Sequence, residues 1–168
     1  ALKSLTCFAG RMQKLEGKQG AVIIDDTYNA SPEAMKLALD TLYDYPLPNK
    51  IAILGSMNEL GESSNLEHQK VGEYCDPTKL NLVVTLGQQA NKFLAPAAQK
   101  KGCTVYEARD AADAGLFVLE KMSKDTVILA KGSQNGVFAE EALKPLLKNK
   151  SDYSKLVRQD KVWLSKKS

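Results

Sequence analysis

Residues 21–35 read AVIIDDTYNASPEAM. The opening run, Ala21 to Asp25, is short, aliphatic and β-branched, the composition of a strand buried on both sides. Ser31-Pro32-Glu33 has the chemistry of a helix start. The serine hydroxyl caps a free N–H, the proline sits where no N–H donor is needed, and the glutamate faces the positive end of the helix. Beyond it Met35, Leu39 and Leu42 recur at spacings of four and three, one apolar face of a helix over Ser31–Asp44. The unit is therefore a strand, a polar turn and a capped helix.

The same unit recurs along the chain. Further strand-like runs are Lys50–Leu54, Leu80–Leu86, Thr104–Glu107 and Thr126–Ala130. Helical segments are expected over Asn65–Tyr74, Gln88–Lys101, Asp110–Met122 and Val137–Leu147, with a kink or break at Pro96 and an end near Pro145. Strand and helix in alternation predict βαβ units: an α/β fold of three layers, Rossmann-like, with a mainly parallel sheet of about five or six strands. Residues 1–20 read as a lead-in with one extra strand near Arg11–Leu15, and residues 21–148 as the domain. Residues 149–168 read as a basic extension packing on it, in which KVWLSKK suggests a final edge strand and Trp163 a packing anchor.

Bulk properties narrow the class. The 168 residues suffice for one domain with a real core, and 43% hydrophobic with 26% charged residues is ordinary for a globular protein. A net charge of +3 gives no argument for nucleic acid. From Lys144 to Ser168 eight basic residues face only Asp152 and Asp160, a pattern that reads as a solvated, partly mobile terminus. Cys7, Cys75 and Cys103 are far apart and form no CxxC pair, which supports neither a zinc site nor a disulfide framework and fits a reducing cytoplasm. No apolar run is long enough to span a membrane, and no signal segment is recognisable. The chain starts at Ala1 and is expected to be a fragment of something longer.

In an open α/β sheet, ligands bind beyond the carboxyl ends of the strands, where the following helices also point their N-termini. The unusual residues of this chain collect there: Asp25-Asp26-Thr27-Tyr28-Asn29, then GSMNELGESS at 55–64, GQQ at 87–89 and KGSQNG at 131–136. Ser31 and Pro32 are explained by helix capping. Two aspartates at a strand end are not, and turn chemistry and function account equally well for Asp26. KGSQNG offers a lysine, small residues and a hydroxyl, the parts of a carboxylate or phosphate cradle or simply of a tight turn. No GxxxxGK[ST] occurs anywhere, and no GxGxxG follows the first strand, which argues against a P-loop and against a dinucleotide oxidoreductase. His68, the single histidine, has no partner at ligand spacing and reads as structural.

Taken in order and spacing, GRMQKLEG…GAVIIDDTYNASPEAM, AILGSMNELGESSNLEHQKVGE, VVTLGQQA and ILAKGSQNGVFAEEAL resemble the C-terminal domain of the Mur ligases, over about residues 10 to 147. DDTYNASP and MNELGESS…H are similar to the D-alanyl-D-alanine-adding type within that family. The resemblance implies an ATP-dependent amide-bond ligase of peptidoglycan precursor synthesis, and hence a part in cell-wall growth, cell shape and cell division. ATP phosphorylates the carboxylate of a UDP-linked muramyl peptide, the incoming amine attacks the acyl phosphate, and ADP and phosphate leave. It also implies two partner domains in the same full-length chain, an N-terminal one for the UDP-substrate and a central ATPase domain that carries the P-loop and the Mg2+ ligands. The present chain would close over ATP and bring the amine. Alone it is expected to be inactive, with no catalytic or metal-ligating residue of its own.

By the same resemblance, Arg11 approaches the nucleotide from the interdomain junction and Asp26 bonds the ribose hydroxyls. Tyr28 and Asn29 line the ATP side. Lys131 and Ser133 receive the amine substrate, D-alanyl-D-alanine, with Asn58 and Glu59 in the same cleft. A carboxylate suits the ribose because it accepts two hydrogen bonds, and a lysine with a hydroxyl suits a free carboxylate. Two positions depart from the pattern: Ser56 stands where an aspartate is usual, and Gln134 where an arginine is usual. Loss of those cleft charges leaves open a divergent Mur-like ligase with another amine substrate. A stand-alone nucleotide- or peptide-binding regulatory module is the alternative from another class.

Overall fold

The computed structural model describes residues 8–168. Residues 1–7, which include Cys7 and the first part of the expected lead-in, lie outside the described residues.

The strands are β1 (Gln13–Glu16), β2 (Val22–Asp26), β3 (Asn49–Gly55), β4 (Leu82–Leu86), β5 (Val105–Ala108) and β6 (Thr126–Lys131). They form one sheet in the order β1-β2-β6-β3-β4-β5. Every neighbour pair is parallel except β1 with β2. β3, β4 and β6 are buried almost throughout, which is why their sequences are apolar runs rather than alternating ones. The extra strand expected near Arg11–Leu15 is β1, and it edges the sheet.

The helices α1 (Pro32–Asp44), α2 (Ser64–Tyr74) and α3 (Ala95–Lys101) cover one face, closing a core with Met35, Leu39, Leu42, Val71 and Leu94 at its centre. The other face is covered by α4 (Ala111–Leu119) and by the segment after β6, through Ala114, Val118, Leu143, Leu146 and Leu156. Both remaining thiols, Cys75 and Cys103, are free and buried in the first core. The interruption expected at Pro96 takes the form of a π-helical turn, Ala90–Leu94, running directly into α3; the wider turn lies just ahead of Pro96, where a regular helix would lose a hydrogen bond to the proline.

Two segments differ from expectation. The helix expected over Val137–Leu147 is a 3-10 turn confined to Ala139–Leu143. Phe138 enters it in the left-handed region, at φ 49°, and Pro145 follows closely, so there is room for little more than one turn. KVWLSKK is not an edge strand but the short helix α5 (Lys161–Lys167). Asp160 caps it, accepting the Trp163 N–H at 3.0 Å. Trp163 meets Phe138 edge to face, with ring centroids 6.4 Å apart.

Candidate functional site

The two aspartates that end β2 serve different faces. Along a strand, side chains alternate. Ile23 belongs to the core under α4 and Ile24 to the core under α1, so Asp25 follows Ile23 and Asp26 follows Ile24. Asp25 is fully buried. Its Oδ1 accepts from the Thr27 N–H at 3.1 Å and the Thr27 hydroxyl at 2.6 Å, while Oδ2 has no hydrogen-bond partner among the described residues. Burial pushes its carboxyl up to about 6 against those hydrogen bonds.

Asp26 opens on the α1 side. Its register partner across the parallel pair is Lys131, the last residue of β6. Lys131 Nζ lies 2.7 Å from Asp26 Oδ2 and 2.8 Å from the Asn29 carbonyl oxygen. Asp26 Oδ1 accepts the Met12 N–H at 3.0 Å. The Asp26 side chain keeps 14% exposure, whereas that of Lys131 keeps only 4%. A depression of about 380 Å³ lies over this pair, walled by Arg11, Tyr28, Asn29 and the first turns of α1. The Arg11 guanidinium stacks 4.1 Å from the centre of the half-exposed Tyr28 ring. Ser31 caps α1 through the Ala34 N–H at 3.3 Å, as its sequence predicts.

A second, smaller depression of about 210 Å³ adjoins the first across Asn29, Ala30 and Ser31, and takes its far wall from Asn58, Glu59, Gln134 and Asn135. The loops after β3 and β6 are stitched together there. Ser133, buried to 1% exposure, accepts the Asn58 N–H on its Oγ at 2.8 Å. Asn58 Nδ2 donates to the Asn135 carbonyl at 2.8 Å. The Ser133 N–H donates to the Ser56 carbonyl at 3.1 Å. Ser56 itself faces inward: it is buried, its Oγ accepts the Ala90 N–H at 3.0 Å, and it does not line this depression. Gln134 does line it.

His68 supports the β3 loop from beneath. Its Nε2 accepts the Met57 N–H at 2.9 Å and its Nδ1 donates to the Ser64 carbonyl at 2.7 Å, the bonding of a neutral ring. Burial lowers its pKa below the ordinary histidine value.

All eight residues singled out in the sequence thus fall on two adjoining depressions or directly beneath them, at the carboxyl edge of the sheet. Two that sequence reasoning missed are Glu140 and Arg158. They form a buried pair, with Arg158 Nη2 2.6 Å from Glu140 Oε2, behind the loop that carries Tyr28. Arg158 and Lys167 are also where the expectation of a solvated terminus fails, since both are tied into the body of the protein by Glu140. Among the described residues no group of three or more His, Cys, Asp or Glu side chains is placed to hold a metal. Among the described residues no helix is long and apolar enough to cross a membrane.

Residues 10–134 match the family described as Mur ligase, glutamate ligase domain. The chain belongs to that family. It is 33% identical over 153 residues to the UDP-N-acetylmuramoyl-tripeptide–D-alanyl-D-alanine ligase of Bacillus subtilis, a match that covers 88% of this chain and 33% of the relative. A similar match to the Haemophilus influenzae enzyme of the same name is 30% identical and covers 75% of this chain and 27% of that one. The chain therefore spans about a third or less of the length of these relatives. Among solved structures it resembles the MurF ligase of Thermotoga maritima in complex with ADP, with a TM-score of 0.71 at 30% identity over 84% of this chain and 31% of that one. The fold is that of a Mur ligase C-terminal domain, and these relatives are MurF-like.

Proposed function

We propose that this chain is the C-terminal domain of an ATP-dependent amide-bond ligase that adds D-alanyl-D-alanine to a UDP-linked muramyl tripeptide. The observation that carries the reading is Asp26. Its carboxylate is held from two sides, by the Met12 N–H and by Lys131, yet stays open to a depression whose rim is the stacked Arg11–Tyr28 pair. A fixed, partly exposed acceptor suits a vicinal diol, and a flat cation–aromatic pair suits the edge of a nucleoside. In this reading Arg11, Asp26, Tyr28 and Asn29 serve ATP, and the adjoining depression with Asn58, Glu59 and Gln134 receives the amine. That the relative of known structure carries ADP supports the nucleotide side.

Lys131 and Ser133 were expected to meet the substrate directly. We assign them one step back. The Lys131 amine is taken up by the Asp26 carboxylate and carbonyl and by the Asn29 carbonyl, and the Ser133 hydroxyl by the Asn58 N–H. Lys131 then fixes the ribose acceptor, and Ser133 shapes the amine-side wall.

The residues present do not fit a Mg2+ site. The one carboxylate beside the nucleotide depression is already paired with a lysine, and no metal-ligating cluster exists among the described residues. ATP supplies the phosphoryl group that activates the substrate carboxylate. This domain's share is to bind and orient: to hold the nucleoside, present the amine, and keep water from the acyl phosphate on closure.

The test is a screen of amines with the full-length protein, reading phosphate release. D-Alanyl-D-alanine is expected to be the amine that drives turnover, and Asp26→Ala to raise the KM for ATP by about tenfold or more. Turnover that prefers another amine would overturn the substrate assignment. An unchanged KM for ATP in Asp26→Ala would overturn the nucleotide assignment.

A further inference from the structure

The loop that joins β2 to α1 turns four consecutive carbonyl oxygens inward, from Asp26 to Asn29, and two side-chain cations take them all. Lys131 Nζ lies 3.5 Å from the Asp26 carbonyl and 2.8 Å from that of Asn29. Arg158 supplies the other two: Nη2 donates to the Thr27 carbonyl at 2.6 Å and Nη1 to the Tyr28 carbonyl at 3.1 Å. Lys131 belongs to the sheet. Arg158 comes from the far end of the chain.

Arg158 is itself firmly held. Its Nε and Nη2 donate to the two carboxylate oxygens of Glu140, at 2.9 and 2.6 Å, and Glu140 is completely buried. Lys167 closes the arrangement, 2.8 Å from Glu140 Oε1, 2.6 Å from Glu141 Oε1, and donating to the Arg158 carbonyl at 2.8 Å. The neighbour of Arg158, Val157, packs on Gly10: a Cβ at Gly10 would lie 2.7 Å from Val157 Cγ1 and 2.9 Å from the Tyr28 nitrogen. The Tyr28 N–H in turn donates to the Gly10 carbonyl at 2.9 Å. Residues 157 and 158 therefore grip at once the strand-entry residue just before Arg11 and the loop that carries Tyr28.

Burying an arginine against a glutamate gives little net stability, because desolvation offsets the attraction. What this pair achieves is placement. A planar guanidinium has donors in a rigid fork. One edge, with two of its donors, is fixed by Glu140, so the remaining donors set the positions of the Thr27 and Tyr28 carbonyls with little freedom. Asp26 and Tyr28 lie on either side of Thr27, within the stretch that these bonds fix.

We propose that Arg158 is a positioning residue for the nucleotide side of the site. Through Thr27 and Tyr28 it holds the loop in the form that presents Asp26 and the Arg11–Tyr28 stack, and with Val157 it makes residues 150–168 a strap across the back of that loop. The inference rests on the assignment of Asp26 and Tyr28 to the nucleotide.

The experiment uses the full-length ligase, with ADP as the probe. Removing one partner of a buried pair strands the other charge. The first variant is therefore the double substitution Arg158→Met with Glu140→Gln, which leaves Lys167 paired with Glu141. The expected result is a folded protein with ADP affinity and KM for ATP weakened about tenfold, and an unchanged KM for the amine. Arg158→Lys, which reaches one carbonyl instead of two, is expected to lie between, at about threefold. If the double variant does not fold, Arg158→Lys decides by the same readout. ADP affinity at the parent level in the folded variant, with Asp26→Ala impaired, overturns the role of Arg158. So does an equal rise of both KM values, which marks a merely structural residue. Normal ADP binding in Asp26→Ala shows instead that the nucleotide assignment has failed, and the proposal falls with it.

Discussion

Asp25 and Asp26 are consecutive, and β2 turns their carboxylates to opposite faces of the sheet, one fully buried under the Glu140–Arg158 side and one open to the depression beside α1. The doubled acid is therefore two separate devices. Asp26 is paired with a cation and faces outward. Asp25 braces the turn through Thr27 and forms no ion pair among the described residues.

The Asp25 carboxyl makes the stability of this domain pH-dependent in an unusual direction. Its folded pKa of about 6 stands above the ordinary 3.8, so the folded state holds the proton more tightly than the unfolded chain. Its contribution is fully present below the unfolded value and is lost as pH rises through about 6. The shift corresponds to about 3 kcal/mol. Gln13 is the cross-strand partner of Asp25, and its Oε1 is likewise buried without a hydrogen bond. An asparagine keeps the bonds to Thr27 and offers a neutral N–H2 toward that oxygen. Asp25→Asn should gain about 2 kcal/mol at pH 8 and almost nothing at pH 4 in urea titrations. A loss of stability at pH 8 would show that the ionised form has a partner here.

His68 should give the opposite slope. Its folded pKa is lowered by burial, so the unfolded chain takes up a proton first, and stability falls as pH drops below the ordinary histidine value of 6.5. Above that value it contributes nothing to the pH dependence. His68→Ala should flatten the acid side of the profile. At neutral pH it should cost about 2–4 kcal/mol, because the Met57 N–H is left without an acceptor and a cavity opens under the β3 loop. Chemical denaturation at pH 5 and pH 8 measures both effects.

Much of this was legible in the sequence, for identifiable reasons. A parallel strand buried on both faces must be apolar throughout, so β2, β3, β4 and β6 show as runs. Residues at the carboxyl edge of such a sheet converge whatever their separation along the chain, which is how Asp26 and Lys131 meet over 105 positions. The strap was not legible. Arg158 and Glu140 are 18 residues apart, and neither position has a periodic or capping pattern that singles it out from other surface charges. The left-handed Phe138 that shortens the following turn was equally hidden, since the sequence there continues to read as helix. α5 did have a visible sign, Asp160 three residues before the Trp163 N–H that it caps, and the apolar Val162-Trp163-Leu164 outweighed it.

Gly72 marks a close approach of α2 to the π-helical turn and α3. A Cβ there would lie 2.3 Å from the Leu94 carbonyl oxygen and 2.7 Å from the Ala97 Cβ. Neither atom is the end of a flexible side chain, so the helices themselves must part. Gly72→Ala should destabilise the domain by about 2–3 kcal/mol despite the better helix propensity of alanine. A thermal melt of the variant is sufficient, and an unchanged midpoint would refute the close approach.

Lys131 separates the nucleotide and amine readings of the cleft. Its ammonium is enclosed by Asp26 and Asn29, with the side chain at 4% exposure, and it does not line the depression formed by Asn58 and Gln134. Lys131→Met keeps the packing of the stem and leaves Asp26 without its cation, free to turn away from the position in which it accepts. The full-length ligase carrying that substitution should bind ADP about tenfold more weakly and show a matching rise in the KM for ATP. Its KM for the amine should move much less, because on the amine side only the Asn29 carbonyl loses a partner. A lysine that instead received the carboxylate of the incoming dipeptide would produce the reverse, a raised KM for the amine with ADP affinity intact. Steady-state kinetics with each substrate varied in turn distinguish the two.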